Sequence, residues 1–462
     1  MLVVSLIQII YTLTKHQIFL YNDNFKIPLY IKTIFVFLTA FLCPIKLFCK
    51  SKPENSLGAR LKQCFIDLGP IYIKFGQTLS TRSDLVGNDI ASQLQLLQDK
   101  LKPFDEKILK QILKQKFGNT IHDIFIEFDY ISISAASIAQ VHKAKLVSGE
   151  LVAVKILRPK ICTKYKKDLK VLKFLARISH IFLPSIEHLK LEPVIDLFNT
   201  TMMLEMDFRL EAAAASEMRD NFKDDTSVHI PKIFWKYSSN NILVMDWIDG
   251  VSLYDKEALI ENNFDLSTIA RKIAVIFFNQ AFRDGFFHAD LHPGNILIMR
   301  NGSIALLDFG IVSRLNDRDR IAIAEIFFGF FKKDYKLIAR IHKEIGYIPK
   351  DTDLDVFAQY CRAVSEPLIE LSAQDISIGN LLSQLFQITE VFGMKIQPQL
   401  ILLQKTMIVV EGIGQILNPQ VNMWQMIEDW IKKWANKNIT PEAKLLRILR
   451  QNAIDFVNKI YQ

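Results

Sequence analysis

His288-Ala289-Asp290-Leu291-His292-Pro293-Gly294-Asn295, followed by Asp308-Phe309-Gly310, is the most informative stretch of this chain. Asp290 precedes Asn295 by five residues, and Asn295 precedes Asp308 by thirteen. That is the spacing of a phosphoryl-transfer site in which an Asp orients or deprotonates the acceptor, while an Asn and the Asp of a DFG turn hold Mg2+ against nucleotide phosphates. Between the two motifs lie a strand-like run, Ile296-Leu297-Ile298-Met299, a turn, Arg300-Asn301-Gly302, and a second run, Ile304-Ala305-Leu306-Leu307. Either triplet alone is weak; both in order, separated by a hairpin pattern, form a specific signal. Asp290 is therefore the candidate catalytic group, and Asn295 and Asp308 are the candidate metal ligands.

The phosphate-holding half of such a site belongs upstream. Val152-Ala153-Val154-Lys155 reads as a β-branched strand ending in a lysine suited to neutralising α- and β-phosphate charge. Fourteen residues earlier, Val141 closes Ile133-Ser134-Ala135-Ala136-Ser137-Ile138-Ala139-Gln140-Val141. Aligned on G-x-G-x-x-G-x-V, the glycine positions hold Ser134, Ala136 and Ala139. A Cβ at each narrows the backbone conformations and the approach of N–H groups to phosphate that glycine permits. The loop is expected to bind ATP or ADP in a restricted geometry. The competing reading is a helix start at Ala135-Ala136-Ser137.

These motifs, with others, resemble the UbiB family of atypical kinases, bacterial relatives of the mitochondrial coenzyme Q kinase-like proteins. The resemblance runs from about residue 57 to about 420. Lys74-Phe75-Gly76-Gln77 is similar to the family's K-x-G-Q signature and continues into Leu79-Ser80-Thr81-Arg82-Ser83-Asp84-Leu85; Ala135 to His142 resembles its alanine-rich loop; Glu205-Met206-Asp207 resembles its E-x-D motif, with Glu211-Ala212 trailing. The resemblance implies an α+β, bilobal protein-kinase-like fold with an N-terminal helical extension and a mainly helical C-lobe. It also implies that the K-x-G-Q helix folds over the nucleotide site, where Lys74 supplies the positive charge lacking at His292, the position two beyond the catalytic Asp, and Gln77 contacts phosphate or braces Lys74. Under that reading Lys74→Ala costs turnover and little stability. Glu205 is the better candidate to pair with Lys155 and Glu211 the runner-up, since six residues on a helix turn the two about 120° apart. Met245-Asp246-Trp247-Ile248-Asp249-Gly250 looks like a gatekeeper and hinge, with backbone groups of Asp246 and Ile248 facing an adenine edge.

Composition agrees with a two-lobed chain. At 462 residues it exceeds one ordinary core. Half of the residues are hydrophobic and 33 are Phe, high for a freely soluble enzyme. The net charge of +8 is scattered, with no basic block and no nucleic-acid motif, so an anionic membrane surface is the expected counter-charge and nucleic acid is not an expected partner. Cys43, Cys49, Cys64, Cys162 and Cys361 form no C-x-x-C pair, and an odd count argues against a disulfide framework and for a reducing compartment.

Thr33 to Ile45 is uncharged but spans only ~20 Å as a helix against a ~30 Å hydrocarbon core, so an interfacial or re-entrant segment is expected. Met1 to Leu13 is apolar but lacks a positive n-region and a small-residue cleavage site, against a signal peptide. Gln399 to Leu417 is interrupted by Lys405 and Glu411 and reads as a buried helix. Many family members end in a hydrophobic hairpin resembling an anchor; Leu445-Leu446-Arg447-Ile448-Leu449-Arg450 is instead amphipathic and basic, favouring peripheral attachment.

Four regions follow: a hydrophobic leader (1–50), a helical extension with the K-x-G-Q motif (51–120, after a linker at 51–55), an N-lobe with the alanine-rich loop and a helical insert (121–247), and a C-lobe (248–462). Ala289 stands where many protein kinases place an Arg, and no A-P-E follows Gly310, which argues against ordinary protein phosphorylation. The family resemblance implies an Mg2+-dependent ATPase or small-molecule kinase supporting ubiquinone biosynthesis at the cytoplasmic face of a bacterial inner membrane. Polyprenyl-phenol or ubiquinone intermediates, and other quinone-biosynthesis enzymes, are the expected partners. A kinase acting on a protein or prenylated phenol, and a nucleotide-binding scaffold without turnover, are the alternatives.

Overall fold

The computed structural model describes residues 2–18, 33, 37, 56–80, 86–97, 102–118, 121–182, 191–369, 378–393, 397–419, 429–434 and 436. The linker at 51–55, Thr81 to Leu85, nearly all of Thr33–Ile45, Cys43, Cys49 and the basic stretch Leu445–Arg450 lie outside the described residues. The chain forms two compact units, one of Met1–Leu210 with Ile233–Trp247, the other of Glu211–Lys232 with Ile248–Gln462.

The first unit is built on an antiparallel sheet of β1 (Phe125–Phe128), β3 (Ala139–Leu146), β4 (Leu151–Leu157) and β6 (Ile242–Asp246) in the order β1-β3-β4-β6, with β2 (Ser134–Ala135) pairing β3. Period-two alternation sends Ala144, Leu146, Val152, Val154, Ile156, Ile242 and Val244 to one face. There they meet Leu109, Leu113 and Phe117, four residues apart on the Glu106–Phe117 helix. That helix is capped by Asp105, which accepts from the Lys107 N–H, and ends at Gly118 in a positive-φ conformation. The extension supplies the Leu57–Leu68 and Pro70–Ser80 helices, separated by Gly69 at φ 98°. The Leu2–Lys15 helix is tied to the first of them: Lys15 and His16 meet Asp67, and Arg60 donates to the Gln17 carbonyl. These contacts hold the Asp67 carboxyl at about 2; burial works to raise it, and the hydrogen bonds from Lys15, His16 and Gln63 outweigh burial.

The second unit carries a four-stranded sheet in the order β5-β10-β9-β7 (Val228–His229, Ile304–Leu306, Ile296–Ile298, Val251–Ser252) and a two-stranded ribbon of β8 (Phe286–His288) and β11 (Val312–Arg314). The hairpin read between the two site motifs is present as β9 and β10, antiparallel, turning at Gly302 with φ 75°. Fully buried Phe277, Phe278, Phe282, Phe286, Phe287 and Phe357 show where much of the phenylalanine goes: into packed cores. The Pro398–Leu417 helix is the one described helix long and apolar enough to cross a membrane. Half of it is buried, with Leu400, Leu403, Met407, Val410 and Ile413 turned inward, and it packs on the Leu266–Phe278 and Ile378–Val391 helices.

Candidate active site

In the first unit the alanine-rich segment is a tight hairpin. Ser134 pairs with Val141 and Ala135 with Gln140, and the Ala136 N–H donates to the Ala139 carbonyl at 2.8 Å. No residue from Ile133 to Val141 has positive φ, so the turn closes without the conformations that glycine would add. A residue not anticipated from sequence clasps it. Arg158 donates from Nε and Nη2 to the Ala136 carbonyl (3.0 and 2.9 Å), from Nη2 to the Lys102 carbonyl, and from its backbone N–H to Ile138. Several residues read as nucleotide contacts turn inward instead. Ser137, Ile138, Ala139 and Gln140 are buried, so their side chains are not offered to a ligand. Gln140 Oε1 accepts from the Phe104 N–H, and its Nε2 donates to His142 Nε2, whose Nδ1 in turn donates to the Asp129 carbonyl. The cause is strand parity: Gln140 and His142 share a face with Ala144 and Leu146, the core face. Ser137 Oγ is buried without a hydrogen-bond partner.

Lys155 lies on β4 opposite Val141 and Leu243, with Nζ 5.4 Å from the centroid of the Phe208 ring. Its expected partner, Glu205, is bound elsewhere. Glu205 ends the Leu191–Glu205 helix, which packs on the Pro70–Ser80 helix, and its carboxylate meets Lys74 Nζ at 3.1 Å. Both side chains are largely buried (15% and 9% exposed), so Lys74 does not lie on a solvated face. Asp207, the other E-x-D acid, binds Arg209 through both oxygens; that contact holds its carboxyl below the usual range. Gln77 Nε2 donates to the Leu97 carbonyl at 3.1 Å, which spends a donor that the sequence reading gave to phosphate or Lys74. Gly76 is glycine for packing: a Cβ there would overlap Leu97 and stand 2.6 Å from Phe65 Cδ2. Asp246 pairs with Val152, and the Trp247 N–H donates to the Leu151 carbonyl, closing the sheet edge where the hinge was read.

In the second unit the catalytic-type loop runs from β8 to β9. The Asp290 N–H donates to His288 Nδ1 (3.1 Å), which places the ring hydrogen on Nε2, and Nε2 donates to the Leu307 carbonyl (3.0 Å). His288 is fully buried, and burial pushes its pKa down. It is a neutral brace joining the loop to the DFG strand. Asn295 Nδ2 donates to the Asp290 carbonyl at 3.0 Å, and the Leu307 N–H to the Asn295 carbonyl. Asp308 has φ 59°, a left-handed conformation that Asp tolerates better than most residues. Phe309 is buried against the His288 ring, 5.4 Å between centroids.

The Asp290 carboxylate is bracketed. Lys405 Nζ, from the Pro398–Leu417 helix, lies 3.2 Å from Oδ1, and His292 Nε2 lies 4.0 Å from Oδ2. Burial works to raise the Asp290 pKa, but the Lys405 cation at hydrogen-bonding distance holds it below the usual carboxylate range. Lys405 was not anticipated as a site residue. Its signal in the sequence was a cation interrupting a mostly apolar run.

Oxygen chemistry at Asn295 and Asp308 suits Mg2+. With Nδ2 spent on Asp290, the Asn295 amide offers its oxygen, and Asp308 offers a carboxylate whose Oδ1 accepts from the Gly310 N–H at 3.4 Å. Among the described residues no group of three or more His, Cys, Asp or Glu side chains is set to hold a metal. A cation bound here would therefore complete its shell with phosphate oxygens and water, as Mg2+ does.

Comparison with known proteins follows the same lines. The ABC1 atypical kinase-like domain matches residues 96–342, and the UbiB helical domain matches residues 361–422. The curated "Probable protein kinase UbiB" of Pseudomonas fluorescens (strain SBW25) is 38% identical over 415 residues, 89% of this chain and 78% of the relative. That of Pseudomonas aeruginosa (strain LESB58) is 38% identical over 406 residues, 87% and 76% of the two chains. Among solved structures, the Rv3197–erythromycin complex from Mycobacterium tuberculosis has a TM-score of 0.51 at 23% identity, covering 77% of this chain and 90% of that one; it bears on fold alone.

Proposed function

Since this chain belongs to the UbiB family of atypical kinases, we propose that it is an Mg2+-ATP-dependent ATPase that serves ubiquinone biosynthesis at a membrane surface. The observation that carries this reading is the loop lock: His288 and Asn295 fasten Asp290 and the DFG strand to each other through hydrogen bonds at 3.0–3.1 Å. Such preorganisation is what phosphoryl transfer requires, since its catalysis is mostly positioning and charge stabilisation. Lys155 neutralises phosphate charge, and the backbone of Ser134 to Ala139 lies along the nucleotide. Asn295 and Asp308 would hold Mg2+, which when bound would neutralise charge on the phosphate oxygens. Asp290, kept ionised, orients the attacking hydroxyl or water.

The Lys74–Glu205 pair fastens the K-x-G-Q helix to the E-x-D helix. Scattered positive charge and the exposed apolar residues Val4, Ile7 and Tyr11 of the Leu2–Lys15 helix support peripheral attachment to anionic lipid at the cytoplasmic face of the inner membrane. There the enzyme assists access to polyprenyl-phenol intermediates and the enzymes that modify them. Ala289 and the missing A-P-E favour this reading over peptide phosphorylation. The test is ATP turnover by purified protein, with and without anionic liposomes and a ubiquinone-like phenol, following free phosphate and labelled acceptors together. Free phosphate that rises with liposomes supports the ATPase; label on phenol or protein makes it a kinase; neither leaves the chain a nucleotide-binding scaffold.

A further inference from the structure

The loop from His288 to Gly310 contains a single Lys or Arg, Arg300, and that residue sits in the β9–β10 turn rather than beside Asp290. Protein kinases commonly place a lysine two residues after the catalytic Asp. Here that position is His292, whose Nδ1 accepts the Gly294 N–H at 3.1 Å and so serves to cap the short turn Pro293–Asn295. A positive charge is still required where the transferring phosphoryl group develops its transition state. Lys74, the first candidate, is bound to Glu205. Lys405 is the cation that meets the Asp290 carboxylate, and it comes from 115 residues further along the chain.

Its setting argues for more than an incidental surface pair. The Pro398–Leu417 helix carries two charged residues, Lys405 and Glu411, and is held in place by buried Leu403, Thr406, Met407 and Val410 around the lysine. Lys405 and Asp290 keep 42% and 35% of their side-chain surface, so the pair is anchored from behind and open in front. An ammonium has three donors. One contact to Asp290 Oδ1 leaves donors for an anionic group arriving on the open side.

Resting on the phosphoryl-transfer reading above, we propose that Lys405 is the phosphoryl-facing cation of this site: it steadies Asp290 and meets the transferred group, in place of the absent catalytic-loop lysine. Turnover then depends on the helical C-terminal segment being docked.

The test compares Lys405→Met, Lys405→Arg, Asp290→Asn and the Lys405→Met/Asp290→Asn double variant by ATP turnover and by melting temperature. Lys405→Met should lower kcat roughly 100-fold, the scale of losing one transition-state donor, with the KM for ATP moved no more than about 2-fold. Lys405→Arg should recover part of the loss, and the double variant should be no slower than Asp290→Asn, because the two residues act as a unit. Melting should fall by much less than turnover, since a pair half-open to solvent adds little stability. Near-parent kcat in Lys405→Met beside an inactive Asp290→Asn would overturn this inference and leave the proposed function standing. Turnover that survives Asp290→Asn would overturn both.

Discussion

Lys74→Ala should destabilise the first unit, contrary to the expectation that follows from the family resemblance. The change removes one half of an ion pair whose other half, Glu205, keeps only 9% of its side-chain surface and has Lys74 as its ion-pair partner. Breaking a buried pair from one side costs ~3–5 kcal/mol, because a charge is left uncompensated. The residual exposure of both side chains puts this case at the lower end, about 3 kcal/mol. At roughly 2–4 °C per kcal/mol for a unit of this size, the melting temperature should fall ~6–12 °C. Lys74→Met/Glu205→Leu should recover most of that fall, since a packed apolar pair of similar volume replaces a buried ion pair at little cost. Calorimetry of the parent and both variants is the assay. A single variant melting within ~2 °C of the parent, or a double variant as unstable as the single, would refute the assignment of Lys74 as a fastening residue.

Gly76→Ala should cost ~1–3 kcal/mol by overpacking against Leu97 and Phe65; a urea midpoint equal to the parent's would show that the helices can move apart. His342, fully buried with its pKa pushed down from 6.5 to about 4 by burial, is neutral in the fold. Its contribution is complete above about pH 6.5 and is lost as pH falls towards about 4, because there the unfolded state binds the proton and the native state does not. The loss is on the order of 3 kcal/mol, and His342→Phe should flatten melting temperature against pH in that window; an unchanged slope would contradict this. Asp308→Asn should abolish the Mg2+-dependent part of ATP binding by removing the charge beside the metal, and isothermal titration showing equal Mg2+-ATP affinity would count against the DFG assignment.

What the sequence disclosed was local. The catalytic-type loop, the β9–β10 hairpin and the β-branched strand through Lys155 all follow from residue order within a few positions. What it concealed was long-range pairing. Nothing near Glu205 says that its carboxylate meets Lys74, and nothing near Asp290 points to Lys405, because helix packing rather than local spacing brings each pair together. Gln140 is a middle case. Strand parity counted back from Leu146 places it on the core face, although it also lies within the loop motif. Arg158 lay in plain view after β4, yet its role depends on a turn whose closure the alanines alone did not reveal.

If Asp290, locked by His288 and Asn295, serves ATP-driven phosphoryl transfer, its removal must show in phosphate release. Phosphate release from Mg2+-ATP by purified protein on anionic liposomes, measured beside Asp290→Asn, tests it most directly. The parent should turn over, and the variant should lose roughly 100-fold or more, with folding intact. Equal phosphate release by parent and variant, or none by a folded parent, would contradict it.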